Sequence, residues 1–402
     1  MALSATAPPG AIAGELAGFI GADLRYYPEP AQFPDQDGYS VSPSLLLQPE
    51  FRQGWNEDED RLTFVPFLRL DAHDDHRTHF DVRELNWFHT EGSWDLRVGI
   101  GKVFWGVAES RHLVNIINQD DRVEDIDEED KLGQPMVNLS LSRDWGNLSL
   151  FVLPGFRERT FPDREARLRG ELFVDTDRAE FESAAEEWHV DYAARWSHTF
   201  GDWDIGVAQF WGTAREPRLI PTPVPTPTQR PRFQIPRYDI IDQTSLDLQV
   251  TKGSWLWKLE ALTRGGQGDR FGALVAGFEY TLYGLYETPA DVGLLSEYLY
   301  DGRDPTNRVE PPVAPVTIFD NDLFLGARFT LNDTQSTELL LGATVDLDTE
   351  ASVFIIEGSR RLGDAWRVEI EGRLFANVPR SDIGLSGLED DGYLQLRVAR
   401  FF

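Results

Sequence analysis

Polar and apolar residues alternate one for one along most of this chain, from its first strand-like segment to its last. A period of two places successive side chains on opposite faces of an extended strand. Near the start, Ile12, Gly14, Leu16, Gly18, Ile20, Ala22 and Leu24 share one face, and Glu15, Asp23 and Arg25 share the other. Leu62, Phe64, Pro66, Leu68 and Leu70 oppose Thr63, Arg69 and Asp71. Trp94, Leu96, Val98 and Ile100 oppose Asp95, Arg97 and Gly99. Trp188, Val190, Tyr192, Ala194 and Trp196 oppose His189, Asp191, Arg195 and Ser197. The final third repeats the pattern, with Leu323, Leu325, Ala327 and Phe329 against Arg328 and Thr330, and Trp366, Val368 and Ile370 against Arg367, Glu369 and Glu371.

These patterns predict eighteen strands, at 11–27, 39–53, 61–73, 80–90, 94–105, 135–144, 147–155, 188–200, 203–213, 239–252, 255–264, 270–283, 292–299, 322–331, 336–347, 351–361, 366–377 and 391–402. Sixteen is the alternative, because the two faces of 80–90 are poorly distinguished and 292–299 is short. Short connections near 91–93, 145–147, 201–202, 252–254, 332–336 and 363–364 alternate with long, polar or proline-rich ones. The longest are 107–134, 155–187 and 213–237. The fold expected is all-β, one transmembrane up-and-down antiparallel barrel spanning 1–402, with short periplasmic turns and long extracellular loops.

A soluble β-protein of this size would bury its apolar face against a second sheet. Strands of ten or more residues suit a tilted crossing of the hydrocarbon layer, which takes about 9–11 residues. Trp94, Trp188, Trp203, Trp255, Trp366, Phe200 and Tyr393 gather near strand ends, as an interfacial girdle does. No segment approaches the roughly 18 continuous apolar residues of a membrane helix. The start carries no basic region and no apolar run, so a secretion signal is expected to have been removed, with Met1 an added start residue. The formal net charge of -30 argues against nucleic acid as a partner, and the lack of cysteine excludes disulfides and thiolate chemistry.

Leu394, Leu396, Val398 and Phe402 share one face of the last strand, which ends on Phe401-Phe402. That segment resembles the terminal assembly signal of bacterial outer-membrane β-barrels. The stretch Arg97-Val98-Gly99-Ile100-Gly101-Lys102-Val103-Phe104-Trp105-Gly106, followed by Asn115 to Asp120, is similar to a strand-then-loop segment of poorly characterised porin-like barrels. Lys102 and Gln119 depart from the usual wording there, so the likeness bears on class and not on substrate. It implies a Gram-negative outer-membrane location and contact with outer-membrane lipids.

With the apolar face turned to lipid, Arg97, His189, Asp191, Arg195, Asp247, Lys258, Glu260, Glu279, Arg328, Glu338, Arg367, Glu369, Glu371, Arg373 and Arg397 face inward. An aqueous lumen satisfies such charges, and opposed signs there select polar solutes. Around eighteen strands enclose more space than wall side chains fill, so a channel or a folded-in plug is required. The expected function is porin-like passive diffusion of small solutes, weakly cation-selective, with no cofactor. A structural barrel that docks a surface protein through its long loops is the rival reading, and a homo-oligomer is compatible with either. A lipid-modifying enzyme is the third, and would need Ser197, His189 and Asp191 to converge.

Val107–Gln134 carries Asp120, Asp121, Glu124, Asp125, Asp127, Glu128, Glu129 and Asp130. Such a run ordinarily reads as a solvated segment that makes the channel mouth acidic. The sharper reading is Ca2+ or Mg2+ held by Asp121, Glu124, Asp125 and Glu128, without EF-hand spacing. His73, His76 and His79 beside Asp74, Asp75 and Asp81 read as a loop tip, and Gly265-Gly266-Gln267-Gly268 as a hairpin loop. Pro221 to Pro227 should be stiff and extended, projecting from the long-loop side.

Overall fold

The computed structural model describes residues 14–222, 232–303, 314–382 and 384–402. Ile12 and residues 223–227 of the proline-rich piece lie outside the described residues. The first half of the barrel wall is β1 (Glu15–Tyr26), β2 (Val41–Trp55), β3 (Asp60–Asp71), β4 (His79–Glu91), β5 (Trp94–Gly101), β6 (Gln134–Arg143), β7 (Gly146–Pro154), β9 (Val190–Phe200) and β10 (Trp203–Thr213). The second half is β13 (Ile240–Lys252), β14 (Trp255–Gly265), β15 (Phe271–Leu282), β16 (Asp291–Asp301), β17 (Asn321–Thr330), β18 (Glu338–Asp346), β19 (Ser352–Leu362), β20 (Trp366–Ala376) and β21 (Tyr393–Phe401). Each wall strand pairs antiparallel with its chain neighbours. β21 then pairs with β1, Gly21 opposite Ala399, which closes an 18-stranded sheet. Three short strands, β8 (Glu180–Phe181), β11 (Arg218–Pro221) and β12 (Gln234–Tyr238), form a separate small sheet.

Closure removes the two free edges that an open sheet would expose. The burial pattern is inverted relative to a water-soluble protein. Leu16 and Ile20 are 66% and 53% exposed, whereas Arg69, Asp191 and Glu260 are at 0%. An outward apolar surface with charges inside is what hydrocarbon outside and water or protein inside demand. No helix among the described residues is long and apolar enough to cross a membrane, which leaves open a crossing made by strands. Trp203, Trp255, Trp366, Phe200 and Phe402 lie exposed at the short-turn end, where an interfacial girdle belongs, whereas Tyr393 is buried inward and Trp188 stands exposed at the long-loop end.

The weak alternation of 80–90 has a local cause. In the β3–β4 pairing Val65 faces Glu84 but Pro66 faces Val82, so Arg83 is an extra residue. Pro66 has no N–H for the ladder, and a bulge at that point absorbs the defect. It also shifts the phase: Phe80 is exposed before it, Leu85 and Trp87 after it, and Asp81 and Arg83 are both buried.

Two loops depart from the sequence expectation. The segment 213–237 does not simply project: β11 and β12 pair antiparallel, and β12 also pairs in parallel with β8 from the 155–189 loop. Tyr238, fully buried, lies 4.8 Å from the Phe156 ring and 5.3 Å from that of Phe181, which staples the two loops together. The histidines of the β3–β4 loop point in different directions. His73 stacks on Tyr39 at 4.0 Å, His76 meets the Phe161 carbonyl at 2.9 Å, and His79 approaches Glu124 at 3.5 Å.

Candidate functional site

The chain leaves β5 and folds into the barrel interior before it rejoins the wall at β6. The inward turn is made at Gly106, whose φ of +136 favours glycine and whose added Cβ would stand 2.8 Å from a Glu260 carboxylate oxygen. That carboxylate is the anchor for the turn. Its Oε1 accepts the N–H groups of Val107 and Ala108 at 2.6 and 2.9 Å, and its Oε2 that of Val114 at 3.1 Å. Two strands away, Glu297 accepts the N–H groups of Glu109 and Ser110 at 2.9 and 2.8 Å, with the Ser110 hydroxyl at 2.6 Å. Charge-assisted bonds from a carboxylate to backbone N–H groups are among the stronger hydrogen bonds.

Apolar side chains finish the attachment. Val114, Ile116 and Ile117 pack with Trp105 against Phe151, Leu153, Phe210 and Ile241 on one arc of the inner wall. Ala108 and Leu113 pack against Val275, Leu295, Leu299 and Phe324 on the neighbouring arc. The inner face is therefore not uniformly charged, and its apolar patches are where the loop seats.

The acidic run is not a solvated segment. Asp120, Asp121, Glu124 and Asp125 are buried, because the wall presents arginines to them. Asp121 pairs with Arg83 at 2.5 Å and accepts from the Thr160 hydroxyl at 2.7 Å. Glu124 accepts from Arg69 at 2.8 Å, and Asp125 accepts from Arg25 at 3.1 Å and from the Tyr393 hydroxyl at 2.7 Å. Asp120 pairs with Arg159 and Lys131. Asp127 meets Arg373 at 2.8 Å, and Glu128 meets Arg122 at 3.3 Å.

Burial by itself would raise the Glu124 carboxyl, but Arg69, Arg77 and Arg83 outweigh it and hold the group down at about 2. Burial likewise would lower His112, yet its bond to Glu129 at 2.9 Å and the neighbouring Glu260 push it up to about 10.

Asp121, Glu124, Asp125 and Glu128 do not converge on one point. Asp121 and Glu124 group with His79, Asp125 groups with Asp127 and Glu371, and Glu128 belongs to neither set. Guanidinium groups already stand beside both sets as counter-charges.

The inward residues expected from alternation fall into several pairings. Arg195 bonds Asp247 at 2.8 Å across the strands and lies 5.3 Å over the Trp105 ring. His189 bonds Asp191 at 2.8 Å, and Asp191 pairs with Arg215, also at 2.8 Å. Glu109 of the inserted loop collects Arg328 at 2.6 Å and Lys258 at 3.5 Å, and Glu279 lies 4.0 Å beyond Arg328. Arg367 meets Glu369 at 3.0 Å, Glu369 meets Arg397 at 3.7 Å, and Arg397 meets Asp23 at 2.7 Å. Arg373 joins Asp127 to Glu357, and Glu371 accepts from Tyr393 at 2.9 Å. Arg97 donates to the Lys102 carbonyl at 3.1 Å. Glu338 stands exposed at the short-turn end, opposite Ser359.

Ser197 does not join His189 and Asp191. It lies six residues from Asp191 along the same strand, roughly 20 Å at about 3.3 Å per residue. Asp191 is committed to Arg215, so no catalytic arrangement forms there.

Between the inserted loop and the wall remains a cavity of about 1220 Å³ with both charged and apolar lining residues. Arg111, His112, Arg122, Asp127 and Glu128 of the loop face it, and the wall contributes an apolar patch of Phe324, Leu340, Val353, Ile355 and Phe375 together with the charged Arg328, Glu357 and Arg373. Glu216 also lines it, bonded to Arg111 at 3.1 Å, Arg264 at 2.7 Å and Arg303 at 2.8 Å. Burial alone would raise that carboxyl, but the arginines hold it well below the usual range.

Alternation did not single out Glu297 or Glu216. Glu297 lies inside the 292–299 segment, but that segment is too short for its inward face to stand out, and Glu216 lies in a loop where no period exists. Arg25 and Arg69 were legible as inward residues, but not their partners across the lumen.

No protein-family model matches the sequence, and no curated protein does. Solved structures do match in fold. A BenF-like porin from Pseudomonas fluorescens Pf-5 superposes with a TM-score of 0.53 at 9% identity, covering 97% of both chains. OccAB3 from Acinetobacter baumannii does so with a TM-score of 0.53 at 9% identity, covering 96% of this chain and 99% of its own. The chain is an 18-stranded antiparallel barrel with the fold of bacterial outer-membrane porins, and its apolar belt is the surface such a barrel turns to the outer membrane.

Proposed function

We propose that the protein is a passive diffusion channel for small polar or amphipathic solutes, narrowed by the 102–133 segment. The observation that carries this reading is the cavity left between that segment and the apolar arc of the wall. A closed interior packed with ion pairs would leave no such space. Its lining combines charged groups with an apolar patch, so a solute with one charged and one apolar side finds partners for both.

Charge preference is the finer part of the proposal. The acidic run is neutralised by arginines, so it cannot by itself make the mouth acidic. The chain nevertheless carries 68 acidic against 38 basic residues. With so many of the arginines engaged in pairs, the surplus carboxylates set the sign of the field. Weak cation preference follows, stronger as salt falls and the screening length grows beyond roughly 8 Å.

Planar-bilayer recording of the detergent-folded protein tests both parts. Discrete current steps, with a reversal potential of cation sign in a salt gradient, are expected. Folded protein that never conducts would overturn the channel reading and favour the docking barrel. Strong anion preference would overturn only the charge assignment.

A further inference from the structure

The outward face of β13–β17 carries an apolar groove of about 630 Å³. Register explains its shape. One cross-strand row runs Leu248, Leu259, Ala276, Tyr298 and Leu323. The next row toward the short turns runs Val250, Trp257, Phe278, Ser296 and Leu325. Ala276 and Ser296 sit diagonally to one another, so two small residues make a low floor. Trp257, Phe278 and Tyr298 stand up around it as walls.

The walls are held by ring contacts. Trp257 stacks on Trp255 at 5.5 Å and meets Phe278 at 5.3 Å, and Trp255 meets Tyr280 at 4.6 Å. Aromatic pairs of this kind restrict one another's rotamers, so the groove is preformed. Lys252, at the short-turn rim, is exposed and lines the groove's mouth. Among the described residues no ion pair to it is found. The short-turn end is the periplasmic end of such a barrel.

We propose that the groove holds one acyl chain of a glycerophospholipid of the periplasmic leaflet, with the lipid phosphate bound by Lys252. An almost wholly apolar trough suits a hydrocarbon chain. A cation where the headgroup plane falls supplies the complementary charge. A single cation at the end of a narrow apolar depression matches one anionic head on one tail better than it matches a second copy of a broad, convex barrel wall. The site lies outside the lumen, so it is independent of whether the channel conducts.

The test is native mass spectrometry of the full chain in detergent, titrated with dioleoyl phosphatidylglycerol. One saturable lipid adduct is expected on the parent protein. Ala276→Leu and, separately, Ser296→Leu fill the floor and should lower retention at least tenfold. Lys252→Gln should weaken binding severalfold while a neutral diacylglycerol binds parent and variant alike. Circular dichroism and retarded gel mobility without heating show that each variant is folded. Statistical multiple adducts, or an adduct unchanged in both filled variants, would overturn the proposal. So would a lipid-free dimer of the parent that becomes monomeric in those variants, because that result gives the groove to a second copy.

Discussion

Glu297 turns a stretch of backbone into a fixed wall of the passage. Its carboxylate accepts the N–H groups of Glu109 and Ser110, and leaving each unpaired costs about 1–3 kcal/mol. Glu297→Ala should therefore loosen residues 109–112, with 107 and 108 still held by Glu260, while the β16 strand stays paired. Single-channel conductance should rise and become noisier, and Glu297→Gln should lie between the parent and the alanine variant. Unchanged conductance in Glu297→Ala would show that Glu260 alone holds the turn.

His112 gives the same turn a dependence on pH. Its ordinary pKa of 6.5 is raised to about 10 in the folded chain by Glu129 and Glu260, against the effect of burial. The folded state thus binds the proton more tightly than the unfolded one. The resulting stabilisation is complete below 6.5, declines as pH rises above it, and is gone once pH passes through about 10. Hydrogen exchange across 107–115 should accelerate over that interval, relative to strand amides. His112→Gln should flatten the difference, and an identical profile in that variant would assign the effect to other groups.

At the scale of elements, the inserted segment and the wall share their charges. Asp121, Glu124, Asp125 and Glu128 each face a guanidinium. Replacing all four with their amides should leave Arg25 without its carboxylate partner, and Arg69 and Arg83 with only Asp23 and Asp81 beside them. The reversal potential should then move toward anion preference, not merely toward neutrality. A shift no larger than that from four exposed surface carboxylates would show that these pairs do not face the conducting path. Alternation revealed the strands because each strand meets a uniform environment on either side. It could not reveal which long loop enters the barrel, because that depends on contacts between residues far apart in the chain, such as Val107 and Glu260. The same limit hid the sheet of β8, β11 and β12, whose strands are too short to show a period.

Across the whole molecule, the outer surface is answerable to hydrocarbon. Leu325 lies midway along β17 and is 53% exposed. Leu325→Arg should cost about 2–4 kcal/mol of stability in a bilayer, as charged residues do near the midplane of such barrels. Urea unfolding of the lipid-embedded protein measures this, and a loss below about 1 kcal/mol would place that residue near an interface or against a protein neighbour. Strand number was also legible, including the doubtful 80–90, whose phase shift at Arg83 is the bulge opposite Pro66.

The alternation of the wall has a further consequence before any barrel exists. Because every apolar residue in a strand is flanked by neighbours of the other face, the chain in its unfolded form contains no long greasy run. Its mean hydropathy is -0.37, and its net charge of -30 makes separate chains repel. A membrane that admits continuous apolar segments as helices finds none to retain. The polypeptide can travel through water as a dispersed polyelectrolyte, and it becomes lipophilic only when the strands pair and sort their two faces. Its destination is thus encoded in the order of its residues and not in their average polarity.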